Sequence, residues 1–203
     1  MSKLVLATRN PHKVAELRRI LAEADLADVE IVGVEVFPGL EDVPETGVTF
    51  EENATIKALA VARATGVPAV ADDSGLCVDV LGGAPGVFSA RWSGKHGDDL
   101  ANLRLLLGQL SDLPPDHRTA HFACAAVLAL PGGAVEVASG RLDGHLVGEP
   151  RGTNGFGYDP IFVPLGRTRT TAEMAPAEKD AISHRGRAFR AIVPAVRDLV
   201  SAS

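Results

Sequence analysis

Apolar residues in the first part of the chain alternate between short continuous runs and helical spacing, which predicts alternating strands and helices. The run Leu4–Ala7 is typical of a buried strand. Asn10 is a good helix N-cap and Pro11 a good first helical residue, so a helix is expected to begin there. Its predicted core face consists of Val14, Leu17, Ile20 and Leu21. A second strand is predicted around Ile31, Val34 and Val36.

Turn-forming residues then separate this part from a second helix. The segment 37–47 is acidic and rich in Pro and Gly, which predicts a loop. Thr49 and Glu52 have the spacing of a capping box, so a helix is expected from there to about Thr65. The run Val67–Val70 predicts another buried strand.

The second half of the chain combines a helix, a hairpin and a last helix. Early alternation followed by a hairpin favours a single α/β domain over residues 1–203 with a mixed sheet. The elements predicted there are a helix at 98–110, strands at 121–130 and 135–141 joined by a turn at 131–133, a strand at 161–163, and a helix from Ser183.

Two adjacent carboxylates follow the predicted strand at 67–70, in the sequence Ala71-Asp72-Asp73-Ser74-Gly75. Asp and Glu are rarely buried unless they are paired, so a packing role alone explains them poorly. Carboxylates at a strand end suit a hard cation such as Mg²⁺, and one of them could be a general base. The alternative is an Asp-Ser-Gly turn that ends the strand.

Two basic positions suit a phosphate group. The loop between the first strand and helix offers free backbone N–H groups with Thr8, Asn10 and Lys13, although it is not a Walker A loop. Lys57 lies on the second predicted helix. Capping residues and solvated lysines are the alternative interpretation. The acidic loop 41–45 either supplies a second metal carboxylate or is a solvated turn.

Two later segments suit a flat, anionic ligand. In Gly155-Phe156-Gly157, glycines flank an aromatic ring that could stack on a base. His184 and Arg185 stand in the first turn of the last helix, where cations are disfavoured by the helix dipole. An anion at that turn would offset the cost. The alternatives are a tight turn with core aromatics and a surface salt bridge.

Composition excludes some classes of partner. The 203 residues are 46% hydrophobic and 23% charged, with a formal net charge of −6. That charge argues against a nucleic-acid polymer or an anionic membrane as the main partner. The N-terminal sequence lacks the apolar region of a signal peptide and no run reaches membrane-spanning length, so a cytoplasmic protein is expected.

Read in order, six blocks resemble the inosine triphosphate pyrophosphatase family, also called XTP/dITP diphosphatases. The resemblance runs from residue 4 to about residue 190. The blocks are Ala7-Thr8-x-Asn10-x-x-Lys13, Glu45-x-Gly47-x-Thr49-Phe50-x-Glu52-Asn53-Ala54-x-x-Lys57-Ala58, Ala71-Asp72-Asp73-Ser74-Gly75-Leu76, Leu81-Gly82-Gly83-Ala84-Pro85-Gly86-Val87-x-Ser89-Ala90-Arg91, Gly155-Phe156-Gly157-Tyr158-Asp159-Pro160-Ile161-Phe162 and Lys179-x-x-Ile182-Ser183-His184-Arg185-Gly186.

The resemblance implies an elongated mixed sheet flanked by helices, two lobes with the active site in the cleft between them, and a homodimer. It implies Mg²⁺-dependent hydrolysis of ITP, dITP and XTP to the monophosphate and pyrophosphate. Asp73 would be the catalytic base and a metal ligand, with Glu45 and Asp72 as further metal candidates. The substrate-binding residues it implies are Thr8, Arg9, Asn10, Pro11, His12, Lys13, Lys57, Ser74, Phe156, Gly157, Tyr158, Asp159, Lys179, His184 and Arg185.

Two other functions are compatible with these residues. A metal-dependent phosphomonoesterase would use the Asp pair as nucleophile and acid, and would release inorganic phosphate. A nucleotide sensor would bind ITP without turnover. The phosphate product formed from ITP and Mg²⁺ distinguishes all three.

Overall fold

The computed structural model describes residues 3–201, which fold into a mixed α/β arrangement. The strands are β1 (Lys3–Leu6), β2 (Glu30–Gly33), β3 (Ala69–Val78), β4 (Thr119–Ala129), β5 (Val135–Leu146) and β6 (Phe162–Pro164). The helices are α1 (Pro11–Glu23), α2 (Phe50–Thr65), α3 (Asp99–Gln109), α4 (Pro176–Ile182) and α5 (His184–Ser201).

All six strands belong to one sheet in the order β2-β1-β3-β4-β5-β6. Strand β1 pairs in parallel with β2 and β3, whereas β5 and β6 are antiparallel. The β4–β5 connection is a hairpin, closed by the Leu130 N–H donating to the Ala134 carbonyl at 2.9 Å. The predicted mixed sheet with flanking helices is therefore confirmed.

The chain divides into two compact units. Within the described residues, the first unit comprises 3–73, 124–140 and 185–201, and the second comprises 74–123 and 141–184. Each unit has buried apolar clusters of its own, and each is described below by itself.

Strand β1 lies between two helical layers in the first unit. Leu4 belongs to a buried cluster with Leu17 of α1 and Phe189 of α5. Val5 belongs to a second cluster with Ala58 of α2. Successive strand residues point to opposite faces of a sheet, so a continuous apolar run is what a strand covered on both faces requires.

The second unit has one apolar cluster, formed by α3 and the strands beside it. Leu103 and Leu106 of α3 pack in this cluster with Phe162 of β6. The rings of Phe122 and Phe162 lie 4.7 Å apart between centroids in a tilted arrangement. Aromatic pairs at this distance add to the stabilisation from buried area.

Apart from shifts of one or two residues at element ends, the structure differs from the sequence predictions in four places. Strand β5 runs to Leu146, beyond its predicted end at residue 141. The segment Val34–Val36 forms a 3-10 helix after β2 ends at Gly33 rather than strand. The Asp pair lies inside the ten-residue strand β3 and not at its end, because Leu76, Cys77 and Val78 continue as buried strand residues beyond Ser74 and Gly75. Helix α4 was not predicted; it has seven residues and begins with Pro176.

The capping of α2 was predicted in part. The Thr49 side chain accepts the Glu52 N–H at 3.1 Å, as in a capping box. The Glu52 carboxylate, however, accepts from the N–H of Val48 at 2.7 Å. Helix α2 ends at Thr65, as predicted, and Gly66 caps it with a φ of 70°.

Candidate active site

Asp72 is a buried carboxylate in β3, and two cations from other elements of the first unit bind it. The Lys13 Nζ on α1 lies 2.9 Å from both carboxylate oxygens. The Arg185 Nε on α5 donates to Oδ2 at 2.9 Å. The Asp72 side chain is 2% exposed, so both ion pairs are shielded from solvent.

The charges in this cluster stabilise each other, so that Asp72 is favoured as a carboxylate and Arg185 as a cation. Burial alone would raise the pKa of Asp72, but Lys13 and Arg185 outweigh burial and hold that pKa well below its ordinary value. Burial would lower the pKa of Arg185, and the Asp72 carboxylate more than reverses this. Asp72 is thus the anion that offsets the cost of a cation in the first turn of α5.

Lys57 of α2 contacts the carboxylates of two further acidic residues, Glu45 and Asp73. Its Nζ donates to Glu45 Oε1 at 2.8 Å and to the Asp72 carbonyl at 2.8 Å, and it lies 3.8 Å from Asp73 Oδ1. Burial would lower the pKa of Lys57, but Asp73, Glu45 and Asp72 raise it overall. Lys57 is therefore a charged ammonium against which two carboxylates converge.

Asn53, which the sequence did not single out as a site residue, contacts one of these carboxylates. Its Nδ2 donates to Asp73 Oδ2 at 3.1 Å. Its Oδ1 accepts from the Gly47 N–H at 2.8 Å. The only sequence signal was its position four residues before Lys57, which places both on one face of α2.

The loop between β1 and α1 contains the remaining phosphate-binding candidates. The Asn10 N–H donates to Thr8 Oγ1 at 3.1 Å. Arg9 points toward the acidic loop, where its Nε donates to Asp42 Oδ1 and its Nη2 to the Leu40 carbonyl, both at 3.0 Å. The side chains of Pro11 and His12 lie outside the described part of the structure.

Two carboxylates of the first unit could hold a magnesium ion if other ligands completed its shell. Among the side chains that the structure describes, which exclude His12, no group of three or more His, Cys, Asp or Glu is placed to hold a metal ion. Mg²⁺ ordinarily takes one or two carboxylates, with water and substrate phosphates completing its shell. Asp73 and Glu45 supply two such carboxylates around Lys57. Asp72 is already bound by two cations, so it is the poorest ligand of the three.

Asp159 organises the glycine-rich loop of the second unit. This buried carboxylate accepts from the Phe156 N–H at 2.9 Å and from Thr171 Oγ1 at 2.8 Å, and it pairs with Lys179. The Lys179 Nζ also lies 5.2 Å from the centroid of the Phe156 ring. That ring is 59% exposed, so its face is available to a flat ligand.

Asp99 of α3 also holds this loop, and the sequence gave no sign of it. Its Oδ2 accepts from the Gly157 N–H at 2.9 Å. Gly157 has a φ of 60°, a conformation that favours glycine. The loop is thus fixed on either side of Phe156 by two carboxylates.

Three other predicted site residues are placed as follows. Tyr158 is buried and its hydroxyl donates to the Ser89 carbonyl at 2.9 Å, so its side chain supports the loop. The His184 ring stacks on Phe122, with centroids 4.8 Å apart. Ser74 is half-buried in β3, directly after the Asp pair.

Comparison with known proteins identifies the class of fold and then the family. Residues 4–195 match the model of the Ham1 family. A dITP/XTP pyrophosphatase of Streptomyces avermitilis is 65% identical over 200 residues, covering 98% of this chain and 100% of that protein. One of Mycobacterium tuberculosis is 52% identical over 201 residues, covering 99% and 98%.

Solved structures agree. A Ham1 protein from Coxiella burnetii is 40% identical with a TM-score of 0.89, covering 98% of this chain and 100% of that one. A nucleoside-triphosphatase, dITP/XTP pyrophosphatase, from Mycobacterium abscessus is 54% identical with a TM-score of 0.80, covering 96% and 99%. The chain therefore belongs to the Ham1 family, which confirms the resemblance in its motifs.

Proposed function

We propose that this protein hydrolyses dITP, XTP and ITP to the monophosphate and pyrophosphate, with Mg²⁺ as cofactor. The main observation in support of this proposal is that three cationic side chains lie close to three carboxylates in the first unit. The cations are Lys13, Lys57 and Arg185, and the carboxylates are Glu45, Asp72 and Asp73. Relatives at 65% and 52% identity bear the name dITP/XTP pyrophosphatase, which supports the substrate class.

The reaction needs a base and stabilised charge. Water attacks a phosphorus of the α–β anhydride, the P–O bond of that bridge breaks, and its electron pair leaves on the phosphate oxygen. Asp73 accepts the water proton, because its carboxylate is partly accessible, with a side chain 13% exposed. Bound Mg²⁺ would polarise the scissile phosphate, and Glu45 and Asp73 would hold it.

The cations serve the polyanionic substrate. Lys13 lies in the first turn of α1, and the N-terminus of a helix favours a phosphate. We propose that the loop residues Thr8, Arg9 and Asn10, and Pro11 and His12 at the start of α1, bind it as well. We assign to Asp72 the role of holding Lys13 and Arg185 in fixed positions, since such preorganised charge stabilises a phosphoryl-transfer transition state.

The second unit supplies features suited to the nucleobase. Phe156 offers an exposed ring for stacking, and Asp159 with Lys179 fixes the loop that carries it. Gly157 and the backbone of Tyr158 lie in the same loop. Lys179, His184 and Ser74 are the further side chains that we propose for substrate contact.

The same function suggests where and in what form the protein works. An enzyme that acts on free nucleotides belongs with the nucleotide pool, so we propose a cytoplasmic location. We also propose a homodimer, which rests on the family resemblance alone. No helix within residues 3–201 is long and apolar enough to cross a membrane.

The deciding experiment is to incubate the protein with dITP and Mg²⁺ and to assay phosphate with and without added inorganic pyrophosphatase. We expect phosphate to be detected only when pyrophosphatase is added. Phosphate released without it would indicate a phosphomonoesterase. Binding of dITP with no product would indicate a sensor.

A further inference from the structure

We propose that Asn53 is a positioning residue, which uses the two ends of one buried amide to fix both the base Asp73 and the loop that carries Glu45. The inference rests on the proposed function, because it assigns Asn53 to the site in which Asp73 acts. Neither the family blocks nor the comparisons give this side chain a role.

The geometry of Asn53 is specific at both ends. The residue is 0% exposed and lies near the start of α2. Its own backbone N–H donates to the Thr49 carbonyl at 3.1 Å, which fixes the helix beneath the side chain. From there, Oδ1 meets the Gly47 N–H at 2.8 Å and Nδ2 meets Asp73 Oδ2 at 3.1 Å.

The two partners determine the chemistry that the side chain must have. A backbone N–H needs an acceptor, and a carboxylate needs a donor. A primary amide presents both on one rigid group, whereas a carboxylate, an alkyl group or a methyl group cannot. Burying an amide without partners costs free energy, and Asn is a mediocre helix former, so a fully buried Asn in α2 requires such a pair of contacts.

Gly47 ties the amide to the acidic loop. A Cβ at Gly47 would lie 2.9 Å from Asn53 Oδ1 and 2.6 Å from the Cβ of Glu52. The loop backbone therefore rests directly on α2 at this point. Glu45 is two residues earlier and binds Lys57, which stands one helical turn after Asn53. Asn53 and Lys57 thus hold the two carboxylates from one face of α2.

The charged groups around Asp73 come from three elements. Lys57 faces it from α2, Glu45 shares that lysine from the loop, and Asp72 is its neighbour in β3. Cys124 on β4 is a neutral thiol, because burial above all, and then Asp72 and Asp73, raise its pKa. Asn53 is the neutral donor of this set. Its hydrogen bond fixes the direction of the carboxylate without adding or removing charge.

The chain provides a matched control in Asn102. This residue is also a buried asparagine in a helix, 1% exposed, in α3. Its Oδ1 accepts from the Ser93 N–H at 2.7 Å and its Nδ2 donates to the Ala90 carbonyl at 3.1 Å. Its Oδ1 also accepts from Ser93 Oγ at 2.8 Å. Asn102 is thus a buried helical amide bonded at both ends, as Asn53 is, but its partners are groups outside the proposed site.

The test compares Asn53→Ala and Asn53→Asp with Asn102→Ala and Asn102→Asp. Asn53→Asp keeps an acceptor for Gly47, puts a carboxylate oxygen where Asp73 had its donor and adds a buried negative charge, for which Asn102→Asp is the matched control. It is the second variant if Asn53→Ala does not fold. We expect both Asn53 variants to lower kcat for dITP by roughly 10- to 100-fold, with KM changed less than about threefold. The Asn102 variants should lose thermal stability but keep kcat within about twofold when measured below their melting temperatures.

A second readout does not depend on activity. In a crystal structure of Asn53→Ala, or of Asn53→Asp, we expect the Asp73 carboxylate to leave its position in the wild-type crystal structure. The inference is overturned if that carboxylate does not move, or if folded Asn53 variants keep wild-type kcat. If the wild-type protein releases no pyrophosphate from dITP, the proposed function fails, and the position of Asp73 alone decides the inference.

Discussion

Arg185 donates to the carboxylate of Asp72 at 2.9 Å, across 113 positions of sequence. The contact joins the first turn of α5 to the middle of β3, where Lys13 of α1 binds the same carboxylate. One anion thus fixes two cations that stand at the beginnings of two helices. A buried ion pair usually stabilises a protein no more than well-packed apolar side chains of similar volume would. Removing only the carboxylate, however, is destabilising, because the cations then lose a buried partner.

Asp72→Asn should destabilise the protein strongly at neutral pH. It removes the buried carboxylate that Arg185 and Lys13 share, and breaking a buried pair typically costs about 3–5 kcal/mol. The pKa of Asp72 is depressed in the folded state, so its stabilisation is present above the unfolded value of about 3.9 and is lost as the pH falls through the folded pKa. Urea unfolding at several pH values should show the gap between wild type and variant narrowing below about pH 4.

The exposed pair Arg9–Asp42 is the control for this comparison. The Asp42 side chain is 90% exposed, so Asp42→Asn should leave the free energy of unfolding within error of wild type. If Asp72→Asn and Asp42→Asn had the same free energy of unfolding at pH 7, the ion pairs of Asp72 would not contribute to stability.

Asp73→Asn should abolish most turnover while the protein stays folded. The substitution removes the proposed base with little change in volume, and loss of a general base typically costs 10²–10⁴-fold. Circular dichroism checks the fold, and pyrophosphate release from dITP checks the rate. A variant retaining more than about a tenth of wild-type kcat would remove Asp73 from this role.

Activity should require Mg²⁺, and Glu45→Gln should raise the concentration needed for half-maximal rate. A hard cation prefers an anionic oxygen, so the amide is a weaker ligand in the same place. The measurement is a Mg²⁺ titration of pyrophosphate release. Full activity in excess chelator would exclude the metal mechanism, whereas an unchanged titration in the variant would exclude only Glu45.

Much of the candidate site was predictable because its residues are of types that are energetically unfavourable at their positions in the chain. Cations in the first turn of α5 and a pair of adjacent carboxylates conflict with local preference, and both mark the cluster around Asp72. The sequence favoured an anionic ligand or a surface salt bridge at Arg185, and the structure pairs Arg185 with the buried carboxylate of Asp72. That pairing depends on the sheet placing β3 against α5. No local pattern encodes a contact between positions 72 and 185.

The failures also have physical causes. Ser74 and Gly75 are turn-forming residues, yet β3 continues through them. The reason is that the residues that follow them in the strand, Leu76 and Val78, are buried in the core. Asn53 bonds the Gly47 N–H and the Asp73 carboxylate, and Asp99 accepts from the Gly157 N–H. These contacts depend on where distant segments return in the fold. The spacing of Asn53 from Lys57 indicated only a shared helix face, and the sequence gave no signal for Asp99.

Phe156→Ala should weaken nucleotide binding with a smaller effect on the chemical step. Stacking of a base on an aromatic side chain is worth about 1–3 kcal/mol, so KM for dITP should rise roughly tenfold or more. Phe88→Ala is the matched control, since Phe88 is 52% exposed and has Arg91 5.3 Å from its ring centroid, much as Lys179 lies near Phe156. Equal changes in KM for the two variants would contradict a stacking role for Phe156.

The protein should hydrolyse ITP, dITP and XTP far faster than ATP, and Phe156 should not be the cause. A phenyl ring stacks on any purine, so Phe156→Ala should lower kcat/KM for all substrates and leave their ratio unchanged.

Discrimination must come from hydrogen-bond donors, such as backbone N–H groups and His184, that meet the O6 acceptor of hypoxanthine or xanthine. The 6-amino group of adenine would oppose a donor with a donor, and each buried mismatch costs roughly 1–3 kcal/mol. Two mismatches give on the order of 10²–10⁴-fold, because each 1.36 kcal/mol is tenfold in rate. GTP shares O6 and should be rejected by a smaller margin, through its 2-amino group. Values of kcat/KM at one Mg²⁺ concentration for ITP, dITP, XTP, GTP and ATP test this, and comparable values for ATP and ITP would defeat the assignment of substrate even with pyrophosphate as the product.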